Sequence, residues 1–473
     1  MKRKHFLFTV TLLSVVGLYA FEPVPTEQLL LSYLQNDIDL QKLTLTAEKA
    51  ALSYDASKID NGINVNISSG TINFKTSKDG LSVKAAPSVK MTIPQASNLS
   101  ISAQSNLNPT NENNMMTDTT LSLGVDIISS SSKNRKINDL TAQRNKDIAF
   151  RNLEIKAIEK EKSFYLELKD LLNSLNSIIQ SQKKLYTDMK DFEGVQARGF
   201  SKDSSTYRTS ELQVLSDKNT IESQMKDFIT DYLMFYKKCT NTTLENITYD
   251  FMALIPTDIP KVQPVNVEDF PKENFIELEN AKWNYEINSK KRDANSNFSL
   301  SANTGYTFDN SLTKSDTLNM GLNSTIGGVN LSAGVNIPMT ADPYPSFTLS
   351  ASVNPNTFRK NSIKNKQDDL TEQQELLDIK TAENNYENFV LSSQQSLDQL
   401  LWRIETTKKN NDMYQELRED MKNWYEQGVV SESEYLSAIT NANLHKVKMA
   451  INDIDLIIYN NDIQRKFIPE VEN

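Results

Sequence analysis

FYLELKDLLNSLNSIIQSQKKLYTDMKDF, residues 164–192, places Phe164, Leu168, Leu171, Leu175, Ile178, Gln182, Leu185, Met189 and Phe192 at alternating spacings of four and three. A stripe repeating every 3.5 residues is a coiled-coil seam, because it keeps one edge facing a partner helix turn after turn. No proline interrupts the chain between Lys133 and Gly199. The stretch therefore predicts one helix over 133–198, roughly 100 Å long at the α-helical rise. Gly199 sits where a glycine commonly ends a helix. A return helix over 205–239 follows, striped by Leu212, Leu215, Met225, Phe228, Ile229, Tyr232 and Tyr236.

Outward from this hairpin the chain repeats itself. Ala47–Tyr54 resembles Leu278–Tyr285 at an offset of 231, Asn138–Gln143 resembles Asp368–Gln373 at 230, and the turn around Gly199 meets that around Gly428 at 229. Three collinear matches mark two copies of one unit. The first occupies 21–240, with a helix over 25–60, strands over 61–130, the long helix and the return helix. The second occupies 273–473, with a helix over 273–296, strands over 297–356, a long helix over 358–427 seamed by Tyr386, Val390, Leu397, Leu400 and Ile404, and a return helix over 431–466. Between them, 241–272 carries Pro256, Pro260, Pro264 and Pro271 and reads as a strap.

The strand blocks alternate. Val65 and Ile67, Val89 and Met91, Leu121 to Ile127, Phe298 to Ala302, Val329 to Ile337 and Phe347 to Val353 put an apolar side chain at every second position, with Ser, Thr, Asn and Gly between. That gives three or more strands per half and an α+β fold class. A lipid-facing barrel wall and a layer of a soluble sandwich both produce this pattern.

Composition narrows the function classes. Lys2-Arg3-Lys4-His5 followed by the apolar run Phe6–Ala20 reads as a secretory signal peptide over 1–20. With 38% hydrophobic and 24% charged residues, the rest suits extended helices washed by water rather than one large core. A single cysteine, Cys239, excludes a disulfide framework, and the only histidine outside the leader, His445, reads as a helix-surface residue. No cofactor or metal set emerges, no catalytic signature is present, and a net charge of -10 argues against nucleic acid. The expectation is a protein that is not an enzyme.

The second turn carries a resemblance. Tyr425-x-x-Gly428, a short polar turn and Leu436-x-Ala438 resemble the hairpin tip of TolC-like outer-membrane efflux proteins, a family also built from a duplicated strand block and helical hairpin. The resemblance spans the whole chain after the leader. It implies a homotrimer whose strands form one outer-membrane β-barrel, continued by a periplasmic α-helical coiled-coil tunnel. It implies partners too: a periplasmic adaptor, through it an inner-membrane transporter, and outer-membrane lipid. The function it implies is a passive exit duct of a tripartite efflux or type I secretion system. Carried over, Tyr425 falls on the aromatic of the tip gate and Glu434 on its ring carboxylate. Val430 stands where the family has a gating arginine, and Ser437 where it has a second carboxylate. The strand count also exceeds the two per half of that family. A periplasmic adaptor or scaffold, or a non-conducting surface antigen or adhesin on the same fold, are the other readings.

Overall fold

The computed structural model describes residues 25–77, 80–110, 115–244, 258–294, 298–310, 315–340 and 344–469. The leader predicted over 1–20 and residues 245–257 of the predicted strap lie outside them. The helix predicted over 25–60 is two helices, α1 (Thr26–Asn36) and α2 (Ile38–Asp60). Asp37 causes the break. Its backbone is extended, and its carboxylate accepts from the Leu40 N–H at 3.0 Å, so it caps the start of α2. Six strands follow: β1 (Asn64–Ser68), β2 (Asn73–Ser77), β3 (Gly80–Lys84), β4 (Ser88–Ile93), β5 (Leu99–Leu107) and β6 (Met116–Ile128). Then come α3 (Ser130–Ala197), α4 (Ser205–Thr240), α5 (Ile276–Ala294), β7 (Phe298–Asp309), β8 (Thr317–Ile326), β9 (Val329–Pro338), β10 (Ser346–Val353), α6 (Pro355–Glu426) and α7 (Glu432–Gln464). Pro355 opens α6, where its missing N–H costs nothing.

The chain divides into two compact units, and each takes segments from both halves of the sequence. The sheet unit comprises 45–150 and 277–383. Its eight-stranded sheet is antiparallel throughout, in the order β1-β4-β5-β6-β7-β8-β9-β10, while β2 and β3 pair apart from it as a hairpin. Each half gives four strands, and the halves join where β6 pairs with β7. The extra strands are β5 and β8. Their alternation, Leu99, Ile101, Ala103 and Leu318, Met320, Leu322, is the same signal the neighbouring strands carry. Among the described residues β1 and β10 each have one partner, so the sheet is open at both edges.

The sheet unit also holds a small helical core of Ile137, Ile287 and Ala294 with Leu140 and Trp283 against it. Charged side chains knit the helices there. Arg144 grips Glu279 and Asn280, and buried Glu375 accepts from Arg292 at 2.8 Å and Asn288 at 2.8 Å.

The helical unit comprises 25–44, 151–276 and 384–469, and its core is the seam read from the sequence. Phe164, Leu168, Leu171, Leu175 and Ile178 are all buried, packed with Leu29, Tyr33, Phe228, Tyr232, Phe235, Ile454 and Ile457. Burying side chains of this size contributes about 1.5–3 kcal/mol each. The described part of the strap is pinned to α1 and α7. Asp258 accepts from the Thr26 hydroxyl at 2.7 Å and its N–H at 3.1 Å, capping α1, whose own N-cap Pro25 offers no side-chain acceptor. Asn460 of α7 holds Val265 N–H at 2.9 Å and the Gln263 carbonyl at 2.8 Å.

His445 corrects the sequence reading. It is buried rather than surface, stacked on Tyr414 at 4.3 Å, and burial beside Lys448 and Lys183 pushes its pKa down. A helical wheel of α7 alone could not place α6 across that face.

Candidate functional site

Two features could serve a conduit, one in each unit. In the sheet unit the registers align like side chains into rows. Val65, Met91, Ile101, Leu123, Thr304, Met320, Val335 and Phe347 run straight across all eight strands. The opposite face repeats this with Asn66, Lys90, Ser102, Ser122, Gly305, Asn319, Asn336 and Ser346. One face is thus mostly apolar, interrupted by Thr304, Ser324 and Thr119, and the other almost wholly neutral polar. The segregation holds because side chains alternate faces with a period of two, and a one-residue slip in any strand would destroy it. Hydroxyls lace the polar face, Ser332 to Ser350 at 2.6 Å and Thr120 to Thr307 at 3.0 Å. Glycines flatten it: a Cβ on Gly334 would stand 2.7 Å from the Thr348 hydroxyl.

The apolar face is uncovered, with Ile67 78%, Phe347 77% and Leu349 86% exposed. In water such a surface invites association. Strands β5 to β9, of 9 to 13 residues, match the roughly 9–11 that a tilted strand needs to span a bilayer.

In the helical unit the turns close both hairpins. Gly199 and Gly428 have φ of 74° and 73°, the left-handed region that glycine adopts without strain. At Gly428 the geometry is a full C-terminal cap, with Val429 N–H donating to the Trp424 carbonyl at 2.9 Å and Gly428 N–H to that of Tyr425 at 2.9 Å. Tyr425 stacks on Tyr435 across the turn at 5.1 Å. Leu436 is half-buried, and Ala438 is buried on the inner face of α7.

Glu434 lies in a capping box. Ser431 Oγ accepts from the Glu434 N–H, and the Glu434 carboxylate accepts from the Ser431 N–H at 3.0 Å. Its other oxygen meets Lys190 Nζ of α3 at 2.8 Å, tying the second hairpin to the first. The Lys190 ammonium, then the two Ser431 donors, pull the Glu434 pKa down to about 2. Lys190 was not among the residues singled out from the sequence. Only its place, nine residues before Gly199 on an otherwise mixed face, distinguished it. Val430 and Ser437 are both half-buried at this tip.

Among the described residues no helix is long and apolar enough to cross a membrane, and no group of three or more His, Cys, Asp or Glu is placed to hold a metal ion.

No curated protein is similar to this chain. Solved structures are similar along nearly its whole length at low identity. They include the open state of the Neisseria gonorrhoeae MtrE outer membrane channel, 13% identical over 95% of this chain and 93% of that one with a TM-score of 0.48. A membrane protein from Pseudomonas aeruginosa is 12% identical over 94% and 91%, with a TM-score of 0.46. The Campylobacter jejuni CmeC outer membrane channel is 12% identical over 94% and 87%, with a TM-score of 0.43. The model of the TP096X N-terminal domain matches residues 29–259 and that of the TP096X C-terminal domain matches 260–470. With both domains present in order and meeting inside the strap, the chain belongs to the TP096X family.

Proposed function

We propose that the protein is a TolC-like passive exit duct in an outer membrane, with its helical hairpins in the periplasm. The observation that carries this reading is the row-by-row segregation of the sheet, apolar on one face and small, neutral and hydroxylated on the other. A wall of that kind offers lipid one side and water-borne solute the other. A soluble scaffold would leave the apolar rows facing water.

Eight antiparallel strands per copy make the edges run in opposite directions, so β10 of one copy can continue the antiparallel pattern with β1 of the next. Three copies then close a barrel of about 24 strands, within the range of outer-membrane barrels. Exposed apolar stripes support self-association. Leu45, Leu52 and Ile59 on α2, and Ile363, Leu370 and Leu377 on α6, repeat every seven residues, and each is more than half exposed among the described residues. Two different stripes on one molecule make a head-to-tail contact, which closes a ring. A periplasmic adaptor would engage the hairpins and couple the duct to an inner-membrane transporter. Glu434 and Tyr425 would set the tip constriction, with Lys190 offsetting part of the carboxylate charge.

The mature protein reconstituted in a planar bilayer should conduct. A well-folded trimer that stays silent would refute the duct, and cross-linking that yields only monomer would refute the ring.

A further inference from the structure

We propose that the starts of the two long helices form a cationic collar that binds the anionic headgroups of the membrane holding the sheet; the inference rests on the sheet spanning a bilayer. Helix α3 begins two residues after β6 ends, and α6 two residues after β10 ends. Both junctions are fixed at the same end of the sheet. Arg135 donates to the Pro94 carbonyl at 2.8 Å in the β4–β5 turn, and Asn354 N–H donates to the Gly328 carbonyl at 2.9 Å in the β8–β9 turn. A Cβ on Gly328 would lie 3.3 Å from the Phe358 ring, so the first turn of α6 sits directly on that turn.

Residues 130–138 and 355–366 contain seven basic side chains and no acidic one. The chain as a whole carries a net charge of -10, so the bias runs against composition. It also runs against helix electrostatics. The amino end of a helix is its positive end and favours Asp or Glu in the first turn, yet neither helix has an acid there, and Lys133 in the first turn of α3 is unfavourable by a few tenths of a kcal/mol. The basic residues at the carboxyl end of α5, Lys291 and Arg292, need no such explanation because the dipole favours them.

Internal partners do not account for the seven. Lys133 donates to the Asp293 carbonyl and Arg135 to Pro94, but Lys136, Arg359, Lys360, Lys364 and Lys366 make no ion pair or hydrogen bond among the described residues. The four on α6 are all exposed. A counter-charge from outside resolves the conflict. Next to the rim of an exposed apolar sheet, the anion at that height is a lipid phosphate. Lys and Arg reach it along their apolar stems, and those one or two turns further on still feel the surface within a Debye length of about 8–10 Å.

The test uses the full mature chain and lipid vesicles with and without phosphatidylglycerol. Insertion is read by protease protection and by heat-modifiable migration; affinity is read by flotation. Wild type should insert in both lipids and bind the anionic vesicles at least about tenfold more tightly, given about fivefold per cation near an anionic surface. The combined variant Arg359→Gln, Lys360→Gln, Lys364→Gln, Lys366→Gln should insert equally well in neutral vesicles and lose the preference. Wild type that inserts without preferring anionic lipid, or a variant that keeps the preference, overturns the collar and leaves the duct intact. Failure to insert in either lipid overturns both.

Discussion

Replacing Glu434 with Ala removes the reciprocal half of a helix cap and an ion pair together. The cap is worth about 1 kcal/mol, within the range of roughly 0.5–2 for such residues. The pair to Lys190 adds little to this despite its 2.8 Å length, because the two side chains are 36% and 55% exposed and water screens them. The loss of about 1 kcal/mol predicts a roughly fivefold rise in local opening of the first turn of α7. Amide exchange at positions 434 to 436 reads it directly, corrected for intrinsic rates. Glu434→Gln keeps an acceptor for the Ser431 N–H and should cost about half as much. A cycle with Lys190→Met should return only a small coupling, well below the cost of losing the cap. The sign with pH is set by the depressed folded pKa. The contribution is complete above the ordinary value of 4.5 and fades as pH falls toward about 2. Unchanged protection in Glu434→Ala, or a wild-type advantage that fails to narrow between pH 5 and about 2, would show that the carboxylate is free at the tip.

Other outcomes follow from the same contacts. Leu168→Ala, at a fully buried seam position, should cost about 2–5 kcal/mol in urea unfolding. Gly428→Ala meets open space but must hold φ of 73°, so it should cost about 1 kcal/mol, with Gly428→Asn costing less in the same melts. Leu52→Glu with Ile59→Glu, at positions 70% and 77% exposed, should leave helix content by circular dichroism unchanged while sedimentation shifts from the proposed trimer to monomer. A trimer that survives would remove the α2 stripe from the ring contact.

The long helices were legible because a seam of period 3.5 extends over many turns, and Phe164 to Ile178 filled the core as that seam required. The seam weakened where it reached α6. Leu391, Trp402, Met413 and Trp424 of that helix recur every eleven residues on an exposed face, so its apolar positions are not all drawn to one seam. Strands β5 and β8 carried the right alternation yet escaped notice, since short runs between Ser and Asn resemble turns. The break at Asp37 was readable in principle from an N-cap residue inside a helical pattern. The turns were legible in Gly199 and Gly428, which adopt the left-handed backbone expected of them. The ion pair at the tip was not, because Lys190 comes from another hairpin and no local rule links residues 244 apart.

The junction of β6 with β7 has a kinetic meaning. Thr120 and Thr307 share a hydrogen bond across 187 residues of chain, so the two half-sheets cannot meet until the whole of α3, α4, the strap and α5 has been synthesised. Pairing over such a separation carries a large loop-closure cost and is slow. Meanwhile β6 offers a bare edge and the first four strands of the sheet an unprotected oily face, both prone to wrong partners until the second half arrives. The hairpins, held by local contacts, can form early; the sheet must be completed last.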